Sequence, residues 1–129
     1  MLYHNMDLNN QLITLAQKSD QILKYAAIIV YRNKIIGMGH NYLTVNSTNT
    51  LSCVFEVNKY SIHAEKDAIM SVKNKSLLPE SRIIIIKIKN GKINVTGPCE
   101  MCQKLLNKYK ISRVCTVFND KIINCEEFK

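Results

Sequence analysis

The chain has 129 residues, of which 47% are hydrophobic and 22% are charged, and these values are ordinary for a globular protein. The length predicts a single domain over residues 1–129 with a full core. Five cysteines are an odd number, which argues against a disulfide framework, and no segment is apolar for long enough to span a membrane. The start of the chain has no basic and apolar leader, so we expect a protein of the reducing cytoplasm.

The net charge of +8 comes from 18 Lys and Arg residues against 10 Asp and Glu residues. A basic surface can attract the phosphates of a nucleotide or of a nucleic acid strand. However, Trp is absent, and no tight group of Arg and Lys is interleaved with aromatic residues. Solvated lysines account for the charge better. A small molecule is therefore favoured over a nucleic acid as the partner.

Apolar residues near helical spacing predict a first helix over Asp7–Tyr25, with Asp7 as its N-cap. A hairpin is expected next, with strands Ala26–Tyr31 and Ile35–Asn41 joined by a turn at Arg32–Lys34. Asn41 ends the second strand with a side chain that both donates and accepts hydrogen bonds. It can serve a site or simply close a turn, and the local sequence does not separate these roles.

Residues Tyr42–Tyr60 are largely polar and predict a long loop near a site. A second helix is predicted over Ser61–Lys73, with Ser61 as its N-cap. The segment Arg82–Lys89 contains a continuous run of isoleucines, which is typical of a strand covered on both faces. The hairpin signal Asn90-Gly91 follows, so the chain is expected to return beside that strand over Lys92–Val95.

The last part of the chain predicts one helix and two strands. The helix covers Cys99–Tyr109, and Pro98 suits the first helical position. A strand is predicted over Ser112–Phe118 and a turn at Asn119-Asp120. The final strand, Lys121–Cys125, is therefore expected to run antiparallel to the preceding one.

Two short motifs stand at the predicted helix starts, His63-x-Glu65 and Pro98-Cys99-x-x-Cys102. His63, Cys99 and Cys102 offer one imidazole and two sulfurs, the three protein ligands that a catalytic zinc ion takes while a fourth position holds water. Zinc lowers the pKa of such a water to roughly 7. Glu65 is not a ligand in this interpretation; it takes the proton and hands protons to a substrate ring nitrogen and a leaving amine.

Helix geometry is compatible with such a site. Cys99 and Cys102 are three residues apart and share a helix face. His63 and Glu65 are two apart and would not face each other in mid-helix, but an ion in front of the first turn can be reached from several sides. Two helix N-termini aimed at one ion would also favour thiolates.

A purely structural zinc site and a redox-active cysteine pair both fit the sequence less well. A structural zinc site requires a fourth Cys or His ligand in a second close pair, which the sequence lacks. A redox-active Cys-x-x-Cys site would leave His63 and Glu65 without a role. The combined motif therefore favours a hydrolytic zinc centre.

Together the two motifs form the signature of zinc-dependent nucleobase deaminases. From Ala26 to Phe118 the order of elements also resembles the cytidine deaminase-like superfamily. The resemblance implies an α/β fold with three layers, α/β/α, in which a mixed sheet of about five strands carries helices on both faces. It also implies zinc as the cofactor on the imidazole and the two sulfurs, with Glu65 as the proton shuttle.

The resemblance also implies substrate contacts and partners. Asn41 is similar to an asparagine that holds the sugar in deoxycytidylate and tRNA deaminases, and the backbone around Ala64 and Pro98 is expected to contact the base. The superfamily usually oligomerises, and neighbouring chains often complete the site. We therefore expect a homo-oligomer, either a dimer or a tetramer.

The substrate indications point in two directions. With a histidine at position 63, the chain resembles the deoxycytidylate and nucleic-acid deaminases. The expected antiparallel direction of its last strand instead resembles that of free-cytidine deaminases. We expect a zinc-dependent hydrolytic deaminase of a cytosine nucleoside or nucleotide, which releases ammonia. The alternatives are a deaminase of adenine in RNA or of guanine and, from another class, a catalytically silent zinc-stabilised nucleic-acid-binding or scaffold protein.

Overall fold

The structure is a computed structural model that describes residues 5–44, 52–56, 59–94, 96–111, 113–118 and 121–127, with side chains for 8–43, 61–94, 96–111 and 113–117. Within these ranges no helix combines the length and the apolar character needed to cross a bilayer. In chain order the elements are α1 (Asn5–Ala16), β1 (Lys24–Tyr31), β2 (Lys34–His40), β3 (Tyr42–Thr44), β4 (Ser52–Glu56), β5 (Lys59–Ile62), α2 (Ala64–Ser71), a 3-10 helix (Lys75–Glu80), β6 (Arg82–Lys89), β7 (Lys92–Asn94), α3 (Glu100–Lys108), β8 (Arg113–Phe118) and β9 (Lys121–Glu127).

The main sheet is mixed, as expected. Its strand order is β2-β1-β6-β8-β9, and β7 pairs with the end of β6 that β8 leaves open. The pairing of β6 with β8 is parallel, and the other pairings are antiparallel. The antiparallel direction of β9 confirms the prediction for the last strand, although the predicted turn at Asn119-Asp120 lies outside the described residues.

Helices cover both faces of the main sheet, which confirms the three-layer α/β/α fold. Successive residues of β1 and β6 point to opposite faces, so the consecutive isoleucines of β6 are all buried. The face under α1 includes Leu8, Leu12, Ala26, Ile28, Ile84 and Ile86. The face under α2 and α3 includes Ala27, Ile29, Ala68, Ile69, Ile83, Ile85 and Leu106.

The first helix is shorter than the predicted Asp7–Tyr25, because the chain leaves α1 and enters β1 before that point. Asp7 lies inside α1 and is not its N-cap. The hydroxyl of Ser19 accepts a hydrogen bond from the backbone N–H of Gln21 at 3.2 Å, a local turn that competes with helix. Ile22, whose spacing suggested a helical packing position, is 84% exposed.

The prediction of a loop over Tyr42–Tyr60 is wrong, because much of that segment forms a second sheet. In this sheet β5 lies between β3 and β4 and is antiparallel to both. The polar stretch Thr44–Thr50 led sequence reasoning to a loop for the whole segment, although short strands flank that stretch. Sheet pairing is made by backbone groups and gives no periodic signal in strands this short. Residues 45–51 and 57–58 of that segment lie outside the described ranges.

Both predicted hairpins of the main sheet are present. The backbone φ angles are 47° and 63° at Arg32 and Asn33, and 53° and 73° at Asn90 and Gly91. Positive φ at both central residues is typical of a two-residue type I′ turn. Lys34, predicted as part of the first turn, therefore begins β2, and β7 returns beside β6 as predicted.

The outer strand β2 lies tightly against α2. A Cβ atom at Gly39 would lie 2.6 Å from a backbone oxygen of α2, closer than real Cβ contacts allow. The backbone N–H of Met38 donates to Ser71 Oγ at 3.0 Å, and that of His40 donates to Asp67 Oδ2 at 3.2 Å. Backbone proximity and these hydrogen bonds together hold α2 against β2.

Candidate active site

The start of α2 carries His63 and Glu65. The predicted N-cap, Ser61, is wrong, because Ser61 lies within β5 and His63 occupies the cap with an extended backbone, φ −78° and ψ 146°. Because β5 ends at Ile62 and α2 begins at Ala64, His63 is the one residue between them and takes the cap position. The predicted helix Ser61–Lys73 is accordingly shortened to α2, in which Glu65 stands at the second position.

The start of α3 carries the two cysteines of the motif. Cys99 is the N-cap, with φ −68° and ψ 169°, and its carbonyl accepts from the N–H of Gln103 at 2.8 Å. Pro98 therefore precedes the cap, and its predicted place as the first helical residue is wrong. Cys102 lies in the first turn of α3, which brings both sulfurs to the same helix end.

The two helix starts bring three ligand atoms together. His63 Nδ1 lies 3.4 Å from Cys99 Sγ and 3.3 Å from Cys102 Sγ. The ligand atoms of these residues all lie within 4.8 Å of one another. One imidazole nitrogen and two sulfurs form a donor set that zinc accepts, with a fourth position left for a non-protein ligand. The residues present thus fit the expected metal, and their assignment as ligands remains a prediction.

Burial controls the proton affinity of these groups. Burial lowers the pKa of His63, which keeps its imidazole neutral and able to bind a metal. Burial also raises the pKa of the Cys102 thiol, and the Glu65 carboxylate and Cys99 raise it further. A metal dication would oppose this effect, because it stabilises the thiolate that it binds.

Glu65 is the buried carboxyl group next to the three ligand atoms. Its side chain is 6% exposed. Burial raises its pKa, and hydrogen bonds with its own backbone and with Cys102 act in the opposite direction. A carboxyl group with a raised pKa can hold and release protons nearer to neutral pH than an exposed one.

A cavity of about 210 Å³ opens beside these groups. The residues that line it are Gln21, Leu23, Tyr25, Asn41, Ser61, His63, Ala64, Glu65, Gly97 and Cys99. The structure thus brings the predicted residues Asn41, Ala64 and Glu65 to one space. Pro98 is not among the described residues lining it, and the substrate contacts of Asn41, Ala64 and Pro98 remain predictions.

The hydrogen-bonding groups of the Asn41 side chain are almost all satisfied by other residues of the protein. Its Oδ1 accepts from the N–H of Tyr25 at 2.9 Å. Its Nδ2 donates to Gln21 Oε1 at 3.1 Å and to the carbonyl of Leu23 at 2.8 Å. Asn41 therefore fastens the segment between α1 and β1 to the end of β2.

Sequence reasoning missed Gln21, Leu23 and Tyr25 as cavity residues, because they were assigned to the first helix. Ser19-Asp20 offered a signal, since both residues favour turns over helix interiors. Ser61 was singled out as a cap, whereas it lines the cavity and donates from Oγ to Gln21 Oε1 at 2.7 Å. Its role depends on a strand pairing that a single sequence does not reveal.

Solved structures share this fold. A cytidine deaminase from Burkholderia pseudomallei matches with a TM-score of 0.60 at 14% identity, covering 91% of this chain and 87% of that one. The apo dCMP deaminase of cyanophage S-TIM5 gives 0.55 at 19% identity, covering 86% and 81%. A cytidine deaminase from Mycobacterium tuberculosis gives 0.52 at 13% identity, covering 92% and 89%. Similarity at these identities shows the fold alone.

A comparison with protein families gives a more specific result. The family described as the cytidine and deoxycytidylate deaminase zinc-binding region matches residues 4–118. That match spans both motifs and the whole sheet up to β8. Among curated proteins, no sequence matches this chain significantly.

Proposed function

Because this chain belongs to the cytidine and deoxycytidylate deaminase zinc-binding family, we propose that it is a zinc-dependent hydrolytic deaminase of a cytosine nucleoside or nucleotide. One observation carries the proposal: the buried Glu65 carboxyl group lines the same cavity as His63 and Cys99. A proton-transfer group beside an open metal position is what hydrolytic removal of an amine requires.

The roles of the residues follow from this arrangement. His63, Cys99 and Cys102 would hold zinc, which supplies a water whose pKa is lowered to roughly 7. A carboxylate oxygen of Glu65 accepts a proton as water attacks the carbon that bears the amine. The same carboxyl group passes this proton to the ring nitrogen, then takes the second proton of the attacking water from the new C–OH group and delivers it to the leaving amine. The new C–O bond replaces the C–N bond, and ammonia leaves.

A cytosine substrate is supported by the family and by what the structural neighbours are named for. The cyanophage S-TIM5 dCMP deaminase has also been solved in complex with dCMP and dUMP. In the present chain, Ala64 is the first residue of α2 and lines the cavity, which supports the proposal that its backbone contacts the base. These observations support cytosine as the base of the substrate.

Ammonia release by the zinc-loaded protein tests the proposal. The substrates are cytidine, deoxycytidine, their monophosphates, guanine, adenosine, and short single-stranded RNA and DNA. Turnover of a cytosine monomer, lost in Glu65→Gln, is the expected result. Turnover only of guanine, of adenosine or of a strand would replace the proposed substrate, and silence with zinc bound would overturn the enzyme assignment.

The family resemblance further supports a homo-oligomer, which we propose to be a dimer or a tetramer. Light scattering on the purified protein measures this directly. A monomer at working concentration would contradict it.

We also propose residence in the reducing cytoplasm, which labelling of the native protein in fractionated cells can test.

A further inference from the structure

We infer that the side-chain amide of Gln21 is the hydrogen-bond donor that recognises an uncharged oxygen of the substrate, and that Asn41 positions Gln21 without donating to the substrate itself. This inference rests on the proposed function, because it places Gln21 in the substrate cavity of a deaminase. It changes the expected assignment of Asn41 as a direct sugar contact.

The first step is that Asn41 has no donor left to offer. A side-chain amide carries two N–H donors. Both are used, since Nδ2 donates to Gln21 Oε1 at 3.1 Å and to the Leu23 carbonyl at 2.8 Å. The residue is also 4% exposed. A substrate hydroxyl could receive a hydrogen bond from Asn41 only if one of these bonds were broken.

The second step fixes the orientation of the Gln21 amide. Asn41 Oδ1 must be an oxygen, because it accepts from the backbone N–H of Tyr25, and Asn41 Nδ2 must be a nitrogen, because it donates to a carbonyl. The Gln21 atom that faces Asn41 Nδ2 is therefore the oxygen. The same oxygen also accepts from Ser61 Oγ at 2.7 Å, so both of its lone pairs are engaged.

The third step concerns the nitrogen of the same amide. With Oε1 held by two donors, Gln21 Nε2 has no hydrogen-bond partner among the described residues. Gln21 is half-buried and lines the cavity together with His63 and Glu65. The restrained amide of this cavity-lining residue thus keeps two N–H donors for a ligand. A group that is fixed before the ligand arrives loses little entropy when the ligand binds.

The chemistry of the amide defines what it recognises. A neutral N–H donor matches a neutral oxygen, such as a sugar hydroxyl or the carbonyl of the base. Among the described residues that line the cavity there is no Lys or Arg to pair with a phosphate. The geometry thus points to recognition of an uncharged oxygen, and the two sources of that oxygen can be separated by the choice of substrate.

The test uses two substitutions at Gln21 and one elsewhere. Gln21→Glu keeps an acceptor for Asn41 and Ser61 but replaces the N–H donors by an oxygen. Gln21→Met keeps the length of the side chain, carries no charge and also removes the donors. Gln17→Glu, an exposed position at the end of α1, is the matched control for added negative charge. Zinc content and melting temperature are measured for each protein.

We expect both Gln21 variants to raise KM for the preferred substrate about tenfold or more with a smaller change in kcat, while Gln17→Glu stays within about twofold of the parent. The penalty should vanish for an analogue that lacks the contacted oxygen. Deoxycytidine, 3′-deoxycytidine and free cytosine lack one or all of the sugar hydroxyls, and the cytidine analogue without the 2-oxygen (4-aminopyrimidine riboside) lacks the base carbonyl. A sugar hydroxyl and a base carbonyl therefore give different patterns.

Each outcome separates the two proposals. An unchanged KM in both Gln21 variants, with the parent active, would overturn this inference and leave the proposed function intact. A penalty that persists for every analogue would overturn it as well, because the amide would then act on folding or zinc and not on one oxygen. A parent that turns over no compound would overturn both proposals.

Discussion

At the scale of single residues, burial shifts the pKa values of the groups in the candidate active site. Cys102 and Glu65 both have a raised pKa because burial disfavours their charged forms, and the pKa of His63 is lowered for the same reason. All three therefore tend toward neutrality in the metal-free protein. A dication changes this balance, since it stabilises the thiolates and the carboxylate beside it and disfavours a protonated imidazole.

Glu65→Gln should keep the fold and the zinc but lose at least about 100-fold in kcat, because an amide cannot exchange protons as a carboxyl group does. Ammonia release under saturating substrate measures the loss. Zinc content by atomic absorption and the melting temperature serve as controls, because a similar loss could otherwise come from lost metal. Activity equal to the parent would rule out Glu65 as the proton shuttle.

Cys99→Ser should bind zinc far more weakly, because one sulfur of the donor set is lost. Metal binding contributes to folding stability, so the variant should also melt at a lower temperature than the zinc-loaded parent. Addition of a chelator gives the matched control. It should lower the melting temperature of the parent much more than that of the variant, and an equal effect on both would contradict the role of Cys99 as a ligand.

At the scale of elements, the site depends on how α2 is seated on β2. His63 and Glu65 belong to the cap and the first turn of α2, so any displacement of this helix moves them together. Sequence reasoning predicted the strands β1, β2 and β6 and the helices α2 and α3, because apolar spacing and turn residues are local signals. It missed the second sheet and the true helix starts, because these are set by strand pairing with segments distant in the chain.

Gly39→Ala should destabilise the protein by about 1–3 kcal/mol, because the new Cβ would meet backbone atoms of α2 that cannot move freely. Denaturant unfolding measures the change. Gly97→Ala is the matched control for stability, since a Cβ there meets nothing within 4 Å. If the two substitutions lower the free energy of unfolding equally, close packing of β2 on α2 does not explain the loss of stability.

Asn41→Ala should destabilise the segment between α1 and β1 by about 1–3 kcal/mol, because it leaves the Tyr25 N–H and the Leu23 carbonyl without their partner. Hydrogen exchange at the Tyr25 amide reports this locally. We expect much faster exchange there, with little change in the amides of β6. Unaltered exchange at Tyr25 would contradict the role of Asn41 as a brace.

At the scale of the whole molecule, a metal at the candidate site would couple the fold to pH. The two helix starts that carry the candidate ligands come from segments separated by the whole of β6, so an ion at this point ties distant parts of the chain together. The three-layer fold was predictable because it follows from element order and from an isoleucine-rich strand buried on both faces. The cavity was not, because Gln21, Ser61 and Asn41 meet only in the folded chain.

Zinc affinity should rise with pH. A thiol must lose its proton to bind the metal, and the raised pKa of Cys102 means that it is protonated at neutral pH in the metal-free protein. Burial lowers the pKa of His63, so protons compete less for its ring than for that of an exposed histidine. Competition with a chelator between about pH 6 and about pH 8 measures the effect. Affinity that stays constant over this range would contradict thiol ligation.

The hydrogen bonds from Met38 and His40 to Ser71 and Asp67 have a consequence for aggregation. An outer strand with open N–H groups is a template on which a foreign strand can be added, as happens in fibril growth. On β2 these two donors are already engaged by α2. Ser71→Ala combined with Asp67→Ala should therefore leave this edge open to strand addition, so the helix that bears Glu65 also covers the edge of the sheet.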